Sequence, residues 1–353
     1  PIKKYHLVEK KAFIFHTLKY YMHSVINVEK IEEDYIGETD WEVKENANEN
    51  RSFGNFVNFF LDKTLKKPEI LKLFFPERAI KLHFDGAIHI HKLPQSIWIP
   101  YCVGWSLARL LKKGLITPTV TSKPAKHLSS AVNHAINFIF LAAQEFTGAM
   151  AFSAFDSYMA PFVRKDNLKR NDVKQIMQSM LFELNFPSRM GYQSPFSNIT
   201  LTLDTIESVM KEHPIIGGNE LKNETLGDYV DEAFMIVDTL MDLYLSGDAI
   251  GRPFTFPIPT LMVTKKFDWN GKRWGEITDK IFEVLAKRGT FYLLNGYVTD
   301  VEALYAMCCR LTINTEKLNN IFSLNVGKEK NELESYLHEK GVTRGMWAIP
   351  DAT

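Results

Sequence analysis

Apolar positions recur along the chain at two spacings. Helical spacing covers residues 5–30 (Phe13, Leu18, Tyr21, Val25), 53–63, 101–115, 122–150, 172–185, 220–246 and 274–287. Two-residue alternation marks residues 80–91, on both sides of an Asp85-Gly86 turn signal, and predicts a strand pair there. β-branched and aromatic runs predict strands over 254–263 and 291–295. Pro257 and Pro259 place the first of these at a sheet edge or barrel rim. Residues 151–164 follow the 122–150 helix, and 186–203 form an apolar segment bounded by prolines. The acidic, Asn-rich stretch 32–50 is expected to be a surface connection. The polar tail from Thr315 is loop-like, with a possible helix over 328–339. Strands alternating with helices predict an α/β protein, either a barrel or a doubly wound sheet.

Composition narrows the functional classes. The chain has 353 residues, 45% of them hydrophobic, enough for the core of one large domain or two ordinary ones. Lys+Arg and Asp+Glu both number 42, so no broad electrostatic footprint for nucleic acid or an anionic membrane is expected. No apolar run reaches 18 residues and no signal peptide is recognisable, so the expectation is a cytoplasmic protein. The chain starts at Pro1 and stops at Thr353 without a helix cap, which reads as a fragment of a longer protein. Neither a GxGxxG fingerprint nor a Walker A loop occurs.

The three cysteines are Cys102, Cys308 and Cys309. An odd, sparse set argues for a reducing compartment, and the lack of Cys-x-x-Cys removes a zinc site of that kind. Cys308-Cys309 can be packed small hydrophobes or reactive thiols, with Arg310 beside them to hold a thiolate or a phosphate. Cys102, at the start of the predicted 101–115 helix, can either pack or ionise at a helix N-terminus. His89 and His91 on a strand share one face and suit a polar pocket; two ligands are too few for a metal. The polar run 193–198, with Ser197 and Asn198, reads as a loop or pocket rim.

Several segments, in order, resemble the catalytic subunit of anaerobic (class III) ribonucleoside-triphosphate reductase. They are ENANEN (45–50), GAIHIH (86–91), PYCVGWSL (100–107), GAMAFS with FD (148–156), APFVR (160–164), GYQSPFSN (191–198), GRPFTFPIP (251–259) and MCCRL (307–311). Each is weak alone; the ordered set is specific.

The resemblance implies part of a ten-stranded α/β barrel of the glycyl-radical enzyme type. Residues 1–75 would form its N-terminal helical part, and 76–353 an incomplete barrel carrying the cysteines. It implies a thiyl radical on Cys309, a second active-site thiol at Cys102, and substrate contacts from His89, His91, Ser197, Asn198 and Arg310. A glycyl radical and zinc are expected on a C-terminal segment, because no Arg-Val-x-Gly-Tyr motif occurs here. Expected partners are ribonucleoside triphosphates, dNTP or ATP effectors, a radical-SAM 4Fe-4S activase, that C-terminal portion and a second copy in a homodimer. Formate is the expected reductant, with a redoxin as the alternative. Lys92 stands where the family often has Asp after the second His. Two other readings stay open: a glycyl-radical enzyme acting on another substrate, and a non-catalytic nucleotide-binding piece.

Overall fold

In the computed structural model the described residues are 26–44, 51–99, 101–117 and 119–297, with the strands Leu304–Ala306 and Thr312–Asn314. The predicted helices within 5–25 and 328–339 lie outside them. The chain divides into two compact units, one of residues up to Ile99 with Met190–Gln193, the other of Pro100–Arg189 and Ser194–Thr353.

The first unit is helical. α1 (Val28–Ile36) is capped by Asn27, whose side chain accepts the Lys30 N–H at 2.9 Å. A short α2 (Trp41–Lys44) follows, so the acidic stretch expected to be a connection is partly helix. α3 (Phe53–Leu65) starts at Ser52, which accepts the Asn55 N–H. Asn55 in turn donates to the Gly191 carbonyl at 3.2 Å, tying Met190–Gln193 into this unit. After α4 (Pro68–Leu71) comes α5 (Glu77–Phe84), where a strand was expected. Helix wins because Glu77 in its first turn and Lys81 and His83 in its last complement the helix dipole. Only Ile80 needs burial, against Leu71 and Leu93, so two-residue alternation carried no weight. Gly86, at φ +75°, turns the chain out of the helix.

The second unit is built on β1 (Val103–Trp105), α6 (Leu107–Lys113), the small pair β2 (Leu115–Ile116) and β3 (Thr121–Ser122), α7 (Leu128–Ala142), β4 (Met150–Phe152), α8 (Phe155–Lys165), α9 (Arg170–Asn185) and β5 (Ser197–Leu201). It continues through α10 (Glu207–Met210), the pair β6 (Ile215–Ile216) and β7 (Asn219–Glu220), α11 (Val230–Ser246), β8 (Ile258–Val263), α12 (Glu276–Arg288), β9 (Tyr292–Asn295), β10 (Leu304–Ala306) and β11 (Thr312–Asn314). The helix expected over 101–115 is thus a strand followed by a helix. Likewise, the 122–150 helix ends at Ala142 and gives way to β4. Both strands are three residues long, and β4 is buried on both faces, so neither shows a period of two.

Five strands form one parallel sheet in the order β1-β4-β5-β8-β9. Each new strand joins on the same side. That is single winding, as a barrel requires; a doubly wound sheet reverses its order. β8 is internal rather than at an edge. Pro257 precedes it, and β9 pairs only from Thr260 onward, so the N–H that Pro259 lacks falls before that ladder begins.

One face of the sheet carries Trp105, Met150, Phe152, Ile199, Leu201, Leu261 and Val263 into a single core with α7, α8, α9, α11 and α12. Outside that layer, Asp238 and Asp242 on α11 pair with Arg170 of α9 and Lys280 of α12.

Candidate functional site

The pleat gives the sheet a second face with different chemistry. Register places Gly104, Ala151, Asn198 and Ile258 in one row across four strands, and Thr200, Thr260 and Tyr292 in the next. Apart from Ile258, which packs partly buried against it, these residues are not in the helix-side core. Towards the strands' C-terminal ends the face is closed by Ile206, Met262 and Leu294. Between them lies a floor of small side chains beside buried polar ones.

Asn198 is held by β8. Its Nδ2 donates to the Ile258 carbonyl at 2.8 Å and to Thr260 Oγ1 at 2.8 Å, while its Oδ1 has no hydrogen-bond partner among the described residues. Ser197 alternates onto the opposite face, with Ile199 and Leu201, and its buried hydroxyl also has no partner among the described residues. The two residues named together from the sequence therefore point to opposite sides of β5.

Cys102 lies one residue before β1 and not at a helix N-terminus; α6 starts at Leu107. Alternation along β1, continued back by one residue, aligns Cys102 with Gly104 on the polar face. The Ala149 N–H donates to its Sγ at 3.2 Å, and the Gly148 N–H to the Tyr101 carbonyl at 2.6 Å. A Cβ at Gly148 would lie 2.5 Å from that Sγ, so only glycine permits this approach.

Asp156, in the first turn of α8, is fully buried and joins that helix to the end of β5. It accepts the Thr202 N–H at 3.0 Å and the Leu203 N–H at 2.6 Å. Burial pushes its carboxyl up to about 6, against backbone hydrogen bonds that favour the charged form. At the other end of the sheet, Asn185 accepts the Thr255 and Phe256 N–H groups and donates to the Phe256 carbonyl, fixing the approach to β8. Arg189 donates to the Phe146 carbonyl at 3.1 Å, and burial lowers its pKa.

His89 and His91 are exposed and lie in the turn region after α5, not on a strand. They still meet, with His89 Nε2 3.1 Å from His91 Nδ1. Burial, His89 and Lys92 lower the His91 pKa, in that order. Cys308, Cys309 and Arg310 lie outside the described residues. The strands on either side of them are β10 and β11, an antiparallel pair, with β10 against β1 and β4. Among the described residues, no group of three His, Cys, Asp or Glu could hold a metal ion, and no helix is long and apolar enough to cross a membrane.

No curated protein matches the chain by sequence. Among solved structures, the anaerobic ribonucleotide reductase of Thermotoga maritima in complex with dATP and CTP is 21% identical, with TM-score 0.54, over 79% of this chain and 50% of that one. The same enzyme with dATP bound in the specificity site gives 21% identity and TM-score 0.53 over 79% and 50%. A further anaerobic ribonucleotide reductase is 20% identical, with TM-score 0.56, over 82% and 49%. At this identity the likeness speaks to the fold, which is the α/β barrel fold of these reductases. This chain spans about half the length of the structures it matches. The model of the anaerobic ribonucleoside-triphosphate reductase family matches residues 45–328. The chain belongs to that family.

Proposed function

We propose that this chain supplies substrate-side barrel strands of an enzyme that reduces ribonucleoside triphosphates to deoxyribonucleotides. The observation that carries this reading is the face shared by Cys102, Asn198 and Thr200 in a member of the reductase family. It combines a thiol, small side chains, and buried polar atoms without a hydrogen-bond partner among the described residues.

In this reading Cys309, between β10 and β11, carries the thiyl radical that takes the ribose 3′-hydrogen. Cys102 is the thiol on the other side of the sugar, and the 2′-hydroxyl leaves as water. Arg310 next to Cys309 suits a substrate phosphate. A closed barrel interior keeps water from the radical. Formate supplies the electrons.

The radical itself starts on a glycine of a C-terminal segment, after attack by a radical-SAM activase. Zinc belongs to that segment too, since the three cysteines of this chain include no Cys-x-x-Cys pair. Effector dNTP or ATP and a homodimer complete the assembly. A specificity site holding dATP in the Thermotoga maritima enzyme supports the effector part.

The test is turnover. This chain is combined with a polypeptide carrying the glycyl-radical segment, activated anaerobically, and given formate with either labelled ribonucleotide or labelled pyruvate. Deoxyribonucleotide formation is expected. Turnover of pyruvate alone would assign another glycyl-radical reaction, and nucleotide binding without any turnover would leave a non-catalytic binding role.

A further inference from the structure

Asn-Gly occurs twice in the sequence, at Asn270-Gly271 and Asn295-Gly296. This dipeptide is prone to lose its side-chain amide, because glycine has no Cβ to keep its nitrogen from the preceding carboxamide. The reaction needs that nitrogen deprotonated and the carboxamide able to swing onto it. The fold treats the two pairs differently on both counts.

Gly296 continues the ladder between β8 and β9, in which Val263 is paired with Asn295. Its N–H donates to the Val263 carbonyl at 2.8 Å. Asn295 Oδ1 accepts the Tyr297 N–H at 3.0 Å, which ties the carboxamide to the chain beyond Gly296. Asn270 is exposed, in the loop between β8 and α12, next to Trp269, which is 50% exposed. The Gly271 N–H reaches the Asp268 carbonyl only at 3.3 Å, beyond the usual range for such a bond. The Asn270 carboxamide makes no hydrogen bond among the described residues.

The rest of this loop is tightly built. Asp268 accepts the Lys272, Arg273 and Trp274 N–H groups at 3.2, 2.6 and 2.8 Å. Arg273 donates to Asp204, just past β5, and to the Lys266 carbonyl, just past β8. The loop therefore ties together the C-terminal ends of two neighbouring strands of the sheet.

We infer that Asn270 is a site of spontaneous deamidation, and that its conversion loosens this tie between β5 and β8. The deprotonated Gly271 nitrogen attacks Asn270 Cγ and a C–N bond forms. The Cγ–Nδ2 bond breaks, and the amide leaves as ammonia with a proton from solvent. Water then opens the succinimide at one carbonyl or the other, giving aspartate or isoaspartate. Either product places a new carboxylate two positions from Asp268. Isoaspartate also adds one carbon to the main chain, inside the turn that Asp268 holds. The inference does not depend on the reductase reading.

The experiment follows the whole chain, native and in urea, at mildly alkaline pH. Samples are digested at intervals and mapped by mass spectrometry, with isoaspartyl peptides separated by chromatography. In urea the two pairs should convert at similar rates. In the native chain Asn270 should convert at least about 10-fold faster than Asn295, since a ladder hydrogen bond opens far more rarely than one in an exposed turn. The aged chain should also melt at a lower temperature than the fresh one, and Asn270→Ala aged alongside should not change. Equal native rates, a faster Asn295, or no native conversion of Asn270 while it proceeds in urea would each overturn the site. An equal fall in melting temperature in Asn270→Ala would overturn the link to β5 and β8.

Discussion

Gly148 and Cys102 approach so closely that a single added carbon at Gly148 would sit 2.5 Å from the Cys102 sulfur and 2.6 Å from the Tyr101 carbonyl oxygen. The second of these contacts is with backbone, which cannot swing away. Gly148→Ala should push the start of β1 away from β4, costing about 1–3 kcal/mol as other overpacked sites do. Cys102 should then react faster with maleimide in the native state. Denaturant melts and the alkylation rate together check this, and an unchanged rate would mean that Gly148 does not hold the thiol.

Asp156 makes a pH prediction whose sign runs against the usual one for acids. Its carboxyl is pushed up to about 6 by burial, whereas the unfolded chain titrates near 3.8. Between those values the native state binds more protons than the unfolded state, so stability falls as pH rises through the window. Compared with Asp156→Asn, the wild-type chain should lose up to about 3 kcal/mol between pH 4 and pH 6 and then level off. Denaturant titrations across pH 3.5–7.5 measure it. A difference that grows with pH would mean that the backbone N–H groups, not burial, dominate this site.

Asp242 behaves in the opposite way. Burial pushes it up, but hydrogen bonds from Arg170 and Lys280 outweigh burial and hold it below the ordinary range. Its contribution is present above the unfolded pKa and is lost as pH falls through the lowered one. Asp242→Asn should cost about 1 kcal/mol at pH 7, and the difference should fade below about pH 4. Thermal melts at the two pH values check both halves.

Ser197 and Asn198 separate by chemistry as well as by pleat. Ser197 holds an unpartnered hydroxyl on the helix side, so Ser197→Ala should be neutral or stabilising by up to about 1 kcal/mol. It should leave nucleotide affinity unchanged. Leu201→Ala, on the same side and fully buried, should cost about 2–5 kcal/mol. A loss of nucleotide binding in Ser197→Ala would return that residue to the site.

The α/β alternation and the long helices α3, α9 and α12 were legible because their apolar faces are continuous. The first two strands of the sheet were not, since three residues cannot display a period. α5 was misread because its one buried side chain satisfies either spacing. The misplacement of Cys102 at a helix start follows from the missed β1. Asn198 was flagged as polar in an apolar setting. Thr200 and Thr260 carry the same signal, a polar residue at every second position of a strand otherwise buried, but it emerges only when two strands are set side by side.

The reductase reading stands or falls on the proposal that Cys309 supplies the thiyl radical to a substrate held by this chain. The most direct measurement is product formation by the reconstituted, activated enzyme carrying Cys309→Ser, with ribonucleotide tritiated at the 3′ position. Intact nucleotide binding is expected, with no deoxyribonucleotide and no tritium exchanged into solvent. Deoxyribonucleotide formed at the wild-type rate by that variant would contradict it.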